Sequence, residues 1–222
     1  MRIWGRSPDG GREVRFGGGA ETSTRGRVRS PDGEVAGKIL YYPVNPVSIK
    51  FMQAVFDWLA QAPAPLLIVG GHALSAHGVF RHTIDIDCLI AGEDQEILAA
   101  EFTRKGYALT ASSANFARYA AGSPDLPEID LLLVDRATFE KLQTGSIPLQ
   151  RGAHQFRVPG LPQLIALKLH AIRNEPRREA RDLSDIAELL RLNSGLISKA
   201  DLGGLCQQFG PPGIESKLVG LV

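Results

Sequence analysis

Leu66-Leu67-Ile68-Val69-Gly70-Gly71-His72-Ala73-Leu74, followed by Arg81-His82-Thr83-Ile84-Asp85-Ile86-Asp87-Cys88-Leu89-Ile90-Ala91, decides how this chain is read. The first run is a short apolar strand ending in two glycines, where backbone can approach a ligand closely. A helix over residues 72–77 follows, with Gly78 suited to cap it. The free N–H groups and dipole at such a helix start favour a phosphate. Residues 84–91 read as a second strand. Alternation sends Ile84, Ile86, Cys88 and Ile90 to one face, and Asp85 and Asp87 to the other. Two carboxylates one pleat repeat apart, roughly 7 Å, repel each other unless cations sit between them. Magnesium, bound through a few carboxylates and the substrate phosphates, meets that need. Each motif alone has a plain alternative: a solvated strand face for the aspartates, a simple turn for the glycines. Their order, strand, Gly-Gly, helix, strand, Asp-x-Asp, favours chemistry.

Outward from this stretch, residues 47–60 have helical apolar spacing at Phe51, Val55, Phe56 and Leu59, and Pro63 and Pro65 break that helix. Residues 93–105 read as a helix, 107–111, 116–120 and 129–134 as strands, and 136–142 as a short helix. Beyond Pro159 the chain turns helical, over 161–173, 178–192 and 199–209. The expected fold is α/β (α+β): a small mixed β-sheet flanked by helices, with a core over 46–158 and a C-terminal helical segment over 159–222. Residues 1–45 are rich in glycine and arginine, and Arg6-Ser7-Pro8-Asp9-Gly10 recurs as Arg29-Ser30-Pro31-Asp32-Gly33. Their composition predicts a disordered or weakly structured extension. Two short hairpins, or a start codon placed too early, are the alternatives.

The composition, 44% hydrophobic and 22% charged over 222 residues, is that of a soluble globular protein able to bury a core. A net charge of +1 leaves no global basic field that demands a nucleic acid. Two cysteines, Cys88 and Cys206, make no disulfide framework and suggest a reducing compartment. Residues 1–10 lack an apolar signal core, and no run has the roughly 18 apolar residues of a membrane helix. A cytoplasmic protein without a membrane partner is expected.

The Gly-Gly turn before a hydrophobic-Asp-hydrophobic-Asp strand resembles the nucleotidyltransferase superfamily with the polymerase-beta-type core. Gly70-Gly71-His72-Ala73-Leu74 with Arg81-x-Thr83-x-Asp85-x-Asp87 is most similar to the AbiEii-type toxin branch. That branch tends to carry a later lysine-bearing helix and an Arg-Asp-x-x-Asp helix, matched here by Lys168 and Arg181-Asp182-Leu183-Ser184-Asp185. The resemblance covers about residues 50–195. His72 departs from it, because much of the branch has a small hydroxyl residue there.

The resemblance implies a third acidic residue on a later strand. Asp130, which interrupts the apolar run 129–134, is the best candidate; it could also simply begin the strand at its solvent end, and Asp125 and Asp135 are rivals in turns. Asp85, Asp87 and Asp130 are then the catalytic and metal carboxylates, for magnesium or manganese. Gly70, Gly71, His72, Arg81, Thr83, Lys168 and Asp182 are the expected nucleotide-binding residues. Lys168 shares an apolar stripe with Leu164, Ile165, Ala171 and Ile172, so it snorkels or meets an anion, either a triphosphate or Asp182. Arg173, Arg177, Arg178 and Arg181 read either as a phosphate site or as a solvated helix start. His72, His77 and His82 do not make a metal set, because five-residue spacing spreads them around a helix. Cys88 reads as core packing, and Ser75 has no paired base.

The implied reaction moves a nucleotidyl group from a nucleoside triphosphate, such as ATP, to a hydroxyl of a macromolecule. An RNA end such as tRNA, in a toxin-like role with a cognate antitoxin, is the leading acceptor. A partner protein or a small molecule of the aminoglycoside kind is the alternative, and a catalytically inactive nucleotide-binding module is a further one.

Overall fold

A computed structural model describes residues 46–218 and Gly220. The expectations for residues 1–45 lie outside the described residues.

Helix α1 (Pro46–Leu59) buries Val55, Phe56 and Leu59. Strand β1 (Leu67–Ile68) ends at Val69, and α2 (Gly70–Leu74) starts at once, continuing as a 3-10 turn, Ser75–His77, that Gly78 closes in the left-handed conformation. Strand β2 (Ile86–Ala91) leads through α3 (Gln95–Arg104) to the hairpin of β3 (Tyr107–Ser113) and β4 (Phe116–Ala121), then to β5 (Ile129–Val134). These five strands form one mixed sheet, ordered β1-β2-β5-β4-β3. β2 and β5 are parallel neighbours, and the other pairings are antiparallel. The chain makes this parallel pairing by spending α3, β3 and β4 on the crossover, as a parallel pair requires.

The pleat of β2 and β5 sorts their side chains onto two faces. Ile86, Cys88 and Ile90, with Ile129, Leu131 and Leu133, enter the main core. Leu89, Ala91, Leu132 and Val134 enter a smaller core with Phe139 of α4 (Arg136–Thr144). Asp87 and Asp130 share the second face by alternation, at its end remote from Val134 and the start of α4. The sheet thus presents carboxylates where its apolar cover runs out. Asp135, a rival for the third carboxylate, instead caps α4 by accepting from the Thr138 amide at 2.8 Å.

Helices α5 (Leu161–Asn174), α6 (Glu179–Leu192) and α7 (Lys199–Phe209) follow, as their periodicity predicts, and a short α8 (Glu215–Leu218) ends the described chain. α5, α6 and α7 share the main core with the sheet through Leu164, Ile165, Leu169, Ile186, Leu189 and Leu202. Two features differ from expectation. β2 begins at Ile86, not at 84, so Ile84 is 60% exposed and Asp85 lies in a bend before the strand. A second, two-stranded sheet of β6 (Ile147–Arg151) and β7 (His154–Val158) fills a stretch that carried no strand expectation. Its alternation is partly masked by Pro148, a residue otherwise typical of sheet edges. No helix among the described residues is long and apolar enough to cross a membrane.

Candidate nucleotidyl-transfer site

The two glycines are held in place by sterics. Gly70 has φ +59°, and a Cβ there would lie 1.9 Å from Oδ2 of Asp87. A Cβ on Gly71 would lie 2.8 Å from Cβ of Thr83. The turn therefore packs directly on the Asp87 carboxylate and on Thr83, and a side chain at either glycine would fill the gap. Thr83 Oγ1 points to its own segment, near the Asp85 carbonyl at 3.5 Å.

In the parallel pairing of β2 and β5, Asp87 stands directly opposite Asp130. The Asp87 carboxyl is pushed up to about 6, first by burial and then by the neighbouring Asp130 and Asp85 carboxylates, against the pull of Arg178 and Lys168. Crowded carboxylates of this kind suit a divalent cation, and hard oxygen donors match magnesium. Asp130, buried at 5% exposure, is matched by Arg118, whose Nε and terminal nitrogen donate to its two oxygens at 2.7 Å each. Among the described residues no group of three or more histidine, cysteine, aspartate and glutamate side chains is arranged to hold a metal. A cation would thus be met by Asp85 and Asp87, while Asp130 beside them already has a cationic partner.

Lys168 lies on α5 at 5% exposure, and Asp182 and Asp185 lie on α6 at 0% and 5%. Lys168 Nζ donates to Asp185 at 2.6 Å and to Asp182 at 3.2 Å. Asp182 also takes Nε of Arg178 at 2.9 Å, and Asp185 pairs with Nε of Arg81 at 3.2 Å. Although burial pushes the Asp182 carboxyl up, Lys168 and Arg178 outweigh it and hold it below the usual carboxylate range. Asp182 therefore reaches a ligand only through the two cations it orients. A cleft joins Gly70, Asp87, Lys168, His170 and Arg178, with Leu132, Leu164, Leu167 and Ala171 as its apolar lining.

His72 does not line this cleft. Its ring meets Phe56 edge-on at 5.2 Å, and its Nε2 is buried without a hydrogen-bond partner. Burial, then Arg151 and Arg81, lower its pKa to about 4, so the ring is neutral at physiological pH. Arg151 of β6 anchors the segment by donating to the His72 carbonyl and to Oγ of Ser75. His77 packs its ring nitrogen on the Pro159 carbonyl at 2.9 Å, and His82 is exposed, so the three histidines do not converge. Cys88 is fully buried in the main core.

Three residues were outside the expected site. Arg118 sits in an otherwise apolar alternating run, Phe116-Ala117-Arg118-Tyr119-Ala120, which was a usable signal. Asp185 is the second acid of the Arg-Asp-x-x-Asp pattern. Arg178 was seen only as one of a basic cluster.

This sheet, with its Gly-Gly turn against an aspartate pair, is a nucleotidyltransferase fold. The solution structure of the antibiotic-resistance factor ANT(2″)-Ia is similar at TM-score 0.56 and 18% identity, over 80% of this chain and 96% of that one. The crystal structure of ANT(2″)-Ia in complex with adenylyl-2″-tobramycin gives TM-score 0.55 and 17% identity, over 72% and 95%. An antigenic nucleotidyltransferase-like protein from Paracoccidioides brasiliensis aligns at TM-score 0.47 and 18% identity, over 78% and 93%. No curated protein matches in sequence. Residues 53–210 match the family model described as nucleotidyl transferase AbiEii toxin, type IV TA system, and the chain belongs to this AbiEii nucleotidyltransferase family.

Proposed function

We propose that the protein is a magnesium-dependent nucleotidyltransferase that moves a nucleoside monophosphate from a triphosphate to a hydroxyl at an RNA end, such as that of a tRNA, in a toxin-like role. The observation that carries this reading is the Asp87 carboxylate, packed on Gly70 of the Gly-Gly turn, crowded by the Asp130 and Asp85 carboxylates and opening on a cleft that Lys168 and Arg178 line. Asp85 and Asp87 would hold the divalent cation. When bound, it neutralises the triphosphate and lowers the pKa of an oxygen it contacts. The acceptor oxygen bonds to the α-phosphorus, and the bond from that phosphorus to the bridging oxygen breaks. Pyrophosphate leaves with the electron pair, and the hydroxyl proton passes to the aspartate row. The Gly70-Gly71 backbone approaches the phosphates, and Lys168 and Arg178 balance the charge that develops on the leaving group. Arg177 and Arg181 are exposed next to Arg178, which favours a polyanionic acceptor over a neutral one.

The test incubates the protein with each labelled triphosphate and either total RNA or whole lysate. Label in an RNA band, lost in Asp85→Asn and Asp87→Asn, is expected. Label in a protein band, or only in a small molecule, replaces the acceptor assignment. No label with any triphosphate or acceptor, from a folded protein, removes the reading.

A further inference from the structure

We infer that the aspartate row takes one divalent cation, not two, and that the Arg118 guanidinium occupies the position of a second. This rests on the metal-dependent reading above. Strand register puts three charges abreast. Asp87 is paired with Asp130 between β2 and β5, and Asp130 is paired with Arg118 between β5 and β4. Residues paired in this way share a face of the sheet, on strands about 4.8 Å apart.

The two ends of the row differ. Among the described residues, no cationic side chain forms an ion pair with Asp85 or Asp87, so a cation arriving there breaks no ion pair among them. Asp130 has both oxygens in the planar fork of Arg118, at 2.7 Å each, the bidentate geometry that makes such pairs strong. Glu128 steadies the same guanidinium at 3.4 Å, and the Phe116 ring lies 5.7 Å beneath it. A metal ion at Asp130 would have to break this pair and push aside a cation. An arginine is always charged, so it can serve as the fixed second positive charge of the site without a metal's dependence on concentration.

Manganese titrated into the full, metal-free chain at neutral pH, with free ion counted by its electron paramagnetic resonance signal, gives the number of sites. One bound ion is expected in the wild type, and two in Arg118→Gln. Asp87→Asn should lose the single ion, while the near-isosteric Asp130→Asn should still bind one, more weakly because a neighbouring negative charge is gone. Two ions in the wild type, or one ion in a folded Arg118→Gln, overturn the inference and leave the metal-dependent reading intact. If Arg118→Gln does not fold, Asp130→Asn decides: loss of the ion from a folded Asp130→Asn makes Asp130 a ligand and overturns it. No bound ion in the wild type overturns both.

Discussion

Gly70 and Asp87 are coupled at the scale of single atoms. With φ at +59° and the Asp87 oxygen 1.9 Å from where a Cβ would lie, Gly70→Ala meets both backbone strain and a clash. The strain alone costs on the order of 1–3 kcal/mol, and the clash moves the carboxylate. Transfer should therefore fall further than stability, read by comparing turnover with a denaturant melt. Full activity in Gly70→Ala would separate the turn from the site. Asp87 gives a second, opposite signature. Its folded pKa, about 6, lies above the ordinary 3.8. Folding therefore favours the protonated form, and the penalty for ionised Asp87 builds as pH rises through that window. In metal-free protein, Asp87→Asn should raise the melting temperature at neutral pH, by roughly 2–4 °C per kcal/mol relieved, and make no difference near pH 4. The same substitution should abolish transfer. Wild-type transfer at limiting magnesium should rise with pH through about 6, and added magnesium should move that midpoint down. A stabilising, inactivating substitution with this pH window distinguishes a functional carboxylate from a structural one.

Between elements, α5 and α6 are tied to the site by charge inside an apolar contact. Lys168 is nearly sealed from solvent and shared by two buried aspartates. Lys168→Met keeps the stem but leaves those carboxylates underpaired, which should cost about 3–5 kcal/mol by chemical denaturation. Adding Asp182→Asn should return part of that stability. Asp185 would still have Arg81. A neutral or stabilising Lys168→Met would show that the lysine does no more than pack. At this scale the sequence was legible where periodicity was long or unbroken. The helices over 161–174, 179–192 and 199–209 and the strand at 129–134 emerge within one or two residues of their expected bounds, while the short α8 carried no expectation. The aspartate row was legible because charges interrupt an apolar run. The β6–β7 hairpin was not, since Pro148 and the polar residues around Gly152 dilute its alternation. The Arg118–Asp130 pair was not either, because a cross-strand partner depends on register, and register is set by pairings distant in sequence. Lys168 was ambiguous between a phosphate and Asp182 for the same reason: its apolar stripe reveals that an anion is near, but not which one.

Over the whole molecule, all the proposed site residues lie between Gly70 and Asp185, and the family match runs from 53 to 210. The core begins with Val55, Phe56 and Leu59 of α1, which pack into the same cluster as the sheet and the C-terminal helices. Residues 1–45 are turn-rich and poor in the large aliphatic side chains that build such a core. A chain that starts at Pro46 should therefore keep the melting temperature of the full chain and its rate of transfer at saturating acceptor. α1 must stay, because removing Phe56 would open a cavity and cost about 3–5 kcal/mol, besides freeing the His72 ring that rests on it. The kinetic split assigns a role if one exists. The first 45 residues are rich in arginine, and arginines that touch an acceptor's phosphates add salt-dependent affinity without touching the chemical step. Loss of such contacts would raise the KM for the acceptor, leave kcat unchanged and flatten the dependence on salt. A lower melting temperature would instead mean that the segment packs on the body. Unchanged stability, KM and kcat in the shortened chain would leave catalysis entirely to residues 46–222.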